Sequence, residues 1–123
     1  MFFISSLPRS GSTLLTSLLN QRLDSYANNT SDLSDSIGSL MNLWEQRVKE
    51  SIIPPFSIGL RDALNSVLDT RYKNVDEKYV FDKGSDWSHP KLIETIIELT
   101  GSMKIIVTVR PIAECLASIV NIL

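Results

Sequence analysis

Between Leu7 and Leu15 the chain reads LPRSGSTLL, with a proline, an arginine, a glycine and three hydroxyl residues placed directly after the apolar run Phe2, Phe3 and Ile4. A short apolar run, a turn of small polar residues and then leucines at helical spacing read as strand, loop and helix. That is the shape of a phosphate-binding loop. In it the amides of Ser10, Gly11, Ser12 and Thr13 can point at an anion, Gly11 permits close backbone approach, and the dipole of the following helix adds positive potential. Arg9 supplies a planar, permanently charged fork. Two further cations stand after apolar runs. Lys83 follows Tyr79, Val80 and Phe81 in FDKGSDW, and Arg110 follows Ile105, Ile106, Val107 and Val109, with Ser118 two helical turns on and facing the same way. Together the three loops offer two separated anion sites. The plainer alternatives are a surface ion pair for Arg9 and Arg110, a solvated loop lysine for Lys83 and a bond to the helix backbone for Ser118. A nucleotide-kinase loop, GxxxxGK[ST], is not present: there is a single glycine and no Gly-Lys, so the phosphate-bridging lysine and the metal-binding hydroxyl are out of register.

The elements that must position these residues follow from periodicity. Leu14, Leu15, Leu18 and Leu19 place one face of a helix from about Ser12 to Leu23 against a sheet. The segment DSYANNTSDLSDS, rich in Asn, Ser and Asp, reads as an exposed loop. Ile37, Leu40, Met41, Trp44 and Val48 follow a helical pattern that Pro54-Pro55 stops, and Leu60, Leu64, Val67, Leu68 and Tyr72 mark a second helix. The Met41 and Trp44 stripe is core rather than a cofactor box. After the strand Tyr79–Phe81 comes a helix with Leu92, Ile93, Ile96, Ile97 and Leu99, with Ser88 as its cap, Pro90 in its first turn and Gly101 at its end. Ile105 to Val109 is a continuous β-branched strand, as expected where helices cover both faces. A last helix carries Ile112, Leu116, Ile119, Val120 and Leu123. The order β, α, α, α, β, α, β, α predicts an α/β fold with a parallel sheet and right-handed crossovers, whose ligands sit beyond the carboxyl ends of the strands.

Composition narrows the partners. At 123 residues, 43% apolar and 21% charged, the chain fits one soluble globular domain over residues 1–123. A net charge of −2 argues against a nucleic-acid-coating surface, so any anion site must be local. The lone Cys115 cannot form an internal disulfide or a zinc cluster and reads as a small buried apolar residue. No apolar run approaches the roughly 20 residues of a membrane span, and Phe2–Ile4 is too brief for a signal peptide, so the expectation is a cytoplasmic protein without membrane contact.

With these residues in place the sequence resembles the sulfotransferases that use 3′-phosphoadenosine 5′-phosphosulfate (PAPS). Their first motif often reads PRSGTT or PRSGST between the first strand and helix, here Pro8 to Thr13. Their second is an arginine at a strand end followed eight residues later by a serine, here Arg110 and Ser118. The branch with the tyrosylprotein sulfotransferases is similar in having arginine in the first loop and a lysine near the sulfuryl group, which Lys83 resembles. The resemblance implies a P-loop-like three-layer fold, with the 5′-phosphosulfate on Arg9, Ser10, Gly11, Ser12 and Thr13 and the 3′-phosphate on Arg110 and Ser118. It further implies catalysis by Arg9 and Lys83 at the bridging and sulfuryl oxygens, and a carboxylate base shortly after the first helix, which points to Asp32 or Asp35. His89, the single histidine, reads as a helix-start residue rather than a base, and both aspartates also fit as capping or solvated groups. No metal is required; the product is adenosine 3′,5′-bisphosphate and the acceptor a hydroxyl or amine of a small molecule, glycan or peptide.

The resemblance covers the amino-terminal portion of that family and stops in the helix after the second motif, so the later loop that covers the nucleotide is missing. The fold is therefore expected to be truncated after the 3′-phosphate-binding helix, with an apolar surface that would favour self-association into a homo-oligomer. A noncatalytic nucleotide- or anion-binding module derived from the same fold is the alternative, and a small-molecule kinase with an atypical loop is a third reading.

Overall fold

The structure, a computed structural model, describes residues 1–50 and 58–122. In chain order its elements are β1 (Phe2–Ser6), α1 (Ser12–Leu19), β2 (Ser25–Ala27), α2 (Leu33–Lys49), α3 (Ile58–Arg71), β3 (Tyr79–Lys83), a 3-10 turn (Ser85–Ser88), α4 (Pro90–Thr100), β4 (Ile105–Thr108) and α5 (Ile112–Val120). The four strands are parallel throughout and lie in the order β2-β3-β1-β4. The predicted α/β class with a parallel sheet is therefore what forms.

From β1 the chain passes first to β2 on one side, returns to β3, and then crosses β1 to reach β4 on the other. With right-handed crossovers this reversal places α1 on one face of the sheet and α2, α3 and α4 on the other. The core divides accordingly. Phe3 meets Leu33, Ile37, Leu64, Trp87 and Ile96 on the α2–α4 face, while Ile4, Ala27 and Phe81 meet Leu15 and Leu19 on the α1 face. Trp87 is fully buried, its ring 4.5 Å from that of Phe3. Burial of this one side chain stabilises the fold by up to about 6 kcal/mol. Strand alternation carries the same division to the carboxyl edge. Ser5 turns to the α2–α4 face, where its hydroxyl donates to Ser85 O (2.9 Å) and lies 3.0 Å from Ser88 Oγ, whereas Ser6 turns to the α1 face and donates to Ser12 Oγ (2.9 Å).

Several expectations are corrected. Helix α1 ends at Leu19, not near Leu23, because Asn20 turns its side chain to the backbone of Ala27 in two 2.7 Å hydrogen bonds. Only Leu15 and Leu19 of its leucines reach the sheet; Leu14 and Leu18 are exposed, since eight residues present one narrow apolar stripe. The segment read as an exposed loop contains β2 and the start of α2, with Ser25, Ala27, Ser31, Leu33 and Ser34 buried. The N-cap of α4 is His89 rather than Ser88, whose hydroxyl is engaged with Ser5; Pro90 and Gly101 hold the expected places, Gly101 at φ 81. Strand β4 is an edge strand with Val107 exposed and Val109 beyond its end, so it is not covered on both faces. The expected helix stop at Pro54-Pro55 and the last apolar position of α5, Leu123, lie outside the described residues.

Candidate functional site: the carboxyl edge of β1, β3 and β4

The loop from β1 to α1 carries two left-handed residues in three. Arg9 has φ 67 and Gly11 φ 93, and among the described residues Arg9 is the single non-glycine with positive φ. Such a residue costs about 1–2 kcal/mol, a strain that clusters where loops bind ligands. The loop is held closed from within. Ser10 N–H and Ser10 Oγ both reach Leu7 O, at 3.3 and 2.7 Å, and Ser10 Oγ lies 2.7 Å from Thr108 Oγ1 on β4. The first helical bond of α1 runs from Leu15 N–H to Gly11 O at 3.0 Å. The amides of Ser12, Thr13 and Leu14 therefore precede any helical acceptor, the ordinary condition of a helix start and a ready set of donors for an anion. At Gly11 an added Cβ would meet nothing within 4 Å, so the loop is open to solvent on that side.

Lys83 arrives from the neighbouring strand. Its register partner is Ile4, and its side chain turns to the α1 face, where Nζ donates to Thr13 Oγ1 at 3.0 Å. Partial burial draws its pKa below the ordinary lysine value. Arg9 and Arg110 meet on the other side of the loop. Arg9 Nε donates to Ser118 Oγ (3.0 Å), Arg110 Nη1 donates to the Arg9 carbonyl (3.2 Å), and Arg110 Nε donates to Glu114 Oε2 (2.8 Å). These contacts tie α5 to the first loop and line an open cleft of about 420 Å³ with Arg9, Arg110, Glu114 and Ser118. Among the described residues, neither Arg9 nor Lys83 has a carboxylate partner; their contacts are neutral hydroxyls. The chain is acidic overall, yet three cations stand at one strand edge and only Arg110 is neutralised.

The structure thus gathers Arg9, Ser10, Gly11, Ser12, Thr13, Lys83, Arg110 and Ser118 at one edge, with Lys83 and Thr13 on one side of the loop and Arg9, Arg110 and Ser118 on the other. Arg9 lies with Ser118 rather than with Lys83. The two aspartates make other contacts. Asp32 precedes α2 and is ion-paired to Arg71 at 2.8 Å, while Asp35 lines a groove between α2 and α4 with Ser34, Asp86 and His89. Among the described residues no hydrogen bond or ion pair joins either carboxylate to the loop or to Lys83, and no three His, Cys, Asp or Glu side chains form a group able to hold a metal ion. No described helix is long and apolar enough to cross a membrane.

Sequence reasoning missed Asp82. It is fully buried on the opposite face from Lys83, and its carboxylate accepts from Ser31 Oγ (2.6 Å), Trp87 Nε1 (2.7 Å) and the Tyr72 hydroxyl. Burial, and the bond to Asp82, push the Tyr72 phenol up to about 12. A signal was present: strand alternation from Phe81 puts the next residue on the helix-covered face, where an aspartate needs donors. Thr16 and Asn29 were missed as well. Thr16 is fully buried, and its hydroxyl reaches Asn29 Oδ1 (2.5 Å) and Thr13 O (3.0 Å), joining the first turn of α1 to the segment after β2. Comparison with protein-family models, with curated proteins and with solved structures finds no match to this chain.

Proposed function

We propose that this chain binds the nucleotide donor PAPS in a P-loop-like cradle and transfers its sulfuryl group to a hydroxyl or amine acceptor. One observation carries the reading: the strained loop after β1, Lys83 at the end of β3, and Arg110 with Ser118 after β4 converge on a single strand edge although they lie far apart in sequence. The residues fit such a group by their chemistry. Unpaired amides at the start of α1, an open Gly11 and two cations held only by hydroxyls suit a multiply charged, oxygen-rich ligand. The donor supplies a sulfuryl group whose bond to the 5′-phosphate oxygen breaks as sulfur bonds the acceptor, with the acceptor proton passing to a base and adenosine 3′,5′-bisphosphate left behind.

The chain's own part is binding and charge placement. The amides of Ser12 and Thr13 and the hydroxyls of Ser10 and Thr13 would hold the 5′ group, and Arg110, Arg9 and Ser118 in their cleft would hold the 3′-phosphate, which competes with Glu114 for Arg110. Lys83 would meet charge that develops on the transferred group, a contribution realised mainly in the transition state. Asp32 and Asp35 are the carboxylates proposed as base. Among the described residues neither carboxylate is bonded to the loop or to Lys83, which favours a second reading, a binding module without transfer.

Calorimetric titration with adenosine 3′,5′-bisphosphate, and in parallel with magnesium ATP, tests the proposal, followed by a sulfate-transfer assay on hydroxyl and amine acceptors. Tighter binding of the bisphosphate supports it. Preference for magnesium ATP would replace it with a kinase, and binding without transfer would leave the module reading.

A further inference from the structure

We infer that Asp82 is a positioning residue for Lys83: its buried carboxylate locks the end of β3 so that the lysine is held toward the first loop. The inference rests on the sulfuryl-transfer reading for what Lys83 does, though not for how Lys83 is held. Three separate elements converge on the carboxylate. Ser31 belongs to the segment between β2 and α2, Tyr72 follows α3, and Trp87 sits in the 3-10 turn after β3. Each donor is itself anchored. Ser31 Oγ accepts from Leu33 N–H (3.1 Å), Asn28 Nδ2 donates to the Tyr72 hydroxyl (3.4 Å), and the Trp87 ring is clamped against Phe3. The carboxylate therefore joins parts of the fold that would otherwise move independently.

Main-chain bonds beside these contacts fix the backbone of Lys83. Ser31 N–H donates to Lys83 O (3.0 Å) and Gly84 N–H donates to Ile4 O (3.0 Å), so the strand end is held from both flanks. Adjacent residues of a strand face opposite ways, so pinning Asp82 to the α2–α4 face turns Lys83 to the α1 face and onto Thr13. Gly84 keeps the turn tight: a Cβ there would lie 2.8 Å from Ser34 Oγ and 3.1 Å from Trp87 Nε1. The lysine cannot be re-aimed without moving the carboxylate, and the carboxylate is surrounded.

Asp82→Asn tests the inference, because an amide keeps the shape but presents N–H groups where the carboxylate accepts. The first readout needs no nucleotide: native-state hydrogen exchange at the Ser31 and Gly84 amides. In the folded variant their protection is expected to fall about 10- to 100-fold further than that of the rest of the sheet, since a local opening is added to any global loss. The second readout separates positioning from stability. With a sulfate acceptor, kcat is expected to drop about 10- to 100-fold while KM for the donor stays within about threefold, the pattern of a misplaced transition-state charge. In a Lys83→Ala background, Asp82→Asn should then lower kcat no further. Should Asp82→Asn fail to fold, Trp87→Phe, which keeps a ring against Phe3 and deletes one donor, is expected to give the same changes more weakly. Protection at Ser31 and Gly84 that merely keeps pace with the sheet in a folded variant would overturn the inference. So would an unchanged kcat. If the wild-type protein neither binds the bisphosphate nor transfers, the functional reading fails alone and hydrogen exchange still decides the role of Asp82.

Discussion

Substitution of Gly11 by valine separates folding from binding, because the structure assigns the two costs to different atoms. Gly11 sits at φ 93 and ψ 5, and an added Cβ would meet nothing within 4 Å. The penalty for valine is therefore carried by the backbone and not by a clash. A left-handed L-residue costs about 1–2 kcal/mol, with a β-branched side chain at the upper end, and the lost freedom of glycine in the unfolded chain returns about 0.4–1 kcal/mol. The net loss of about 1–2 kcal/mol is small against the roughly 5–15 kcal/mol of a typical domain. The variant should fold, with Tm lowered by about 3–5 °C per kcal/mol. Binding fares worse. A branched side chain there stands where an anion must approach, and any relief of the strain through negative φ would swing the Ser12 and Thr13 amides out of the cradle. Two charge-assisted hydrogen bonds at about 1.5–3 kcal/mol each amount to a loss of at least about 100-fold in affinity. Circular dichroism melting and calorimetric titration with adenosine 3′,5′-bisphosphate measure the two effects on one sample. A folded Gly11→Val protein that binds the bisphosphate within about threefold of the wild type would refute the cradle.

Gly38, in the interior of α2 with open space around a Cβ and no positive φ, makes the opposite case: Gly38→Ala should raise stability by about 0.5–1 kcal/mol in urea unfolding and leave nucleotide affinity alone. Arg110→Ala should weaken the bisphosphate by about 10- to 150-fold and adenosine 5′-phosphate much less, because only the former carries the 3′ group; equal losses in paired titrations would reject that role. The Tyr72 phenol is held up to about 12, above its unfolded value near 10, so the folded state favours its protonated form. Its contribution to stability is therefore complete below about pH 10 and is lost as pH rises toward about 12, and urea unfolding across that window should show a decline that Tyr72→Phe lacks.

What could be read from sequence followed the strength of each local pattern. The runs Phe2–Ile4 and Tyr79–Phe81 and the stripe Ile37, Met41, Leu64 and Leu68 obey simple periods, and each became a strand or a buried helical face. The turn between β1 and α1 was legible because glycine and hydroxyl residues between an apolar run and leucines at helical spacing mark a strand-to-helix loop. β2 was not: three residues, SYA, carry no alternation to detect, and the strand exists because β3 and Asn20 supply its partners. The exposed Leu14 and Leu18 misled for the reverse reason, since their spacing fits a buried face that so short a helix does not offer. Asp82 stayed hidden because its donors lie 51, 10 and 5 residues away, and a local reading treats each as an ordinary polar residue. Likewise, no pattern in α5 distinguishes a helix whose Ile112, Leu116 and Val120 face solvent from one seated in a core.

The two hydrogen bonds between the Asn20 side chain and the Ala27 backbone bear on how the sheet meets other chains. Strand β2 is one rim of the sheet, and its outward main-chain groups at Ala27 are taken, donor and acceptor both, by a side chain that imitates a neighbouring strand. An incoming strand would have to displace a partner already tethered to α1. On the opposite rim, β4 ends the sheet beside the exposed Val107. The sheet is thus directional in its capacity to be extended: plugged at Ala27 on the β2 rim, while the β4 rim carries no side-chain plug among the described residues. Asn20→Ala would remove that asymmetry and leave both rims able to template a further strand.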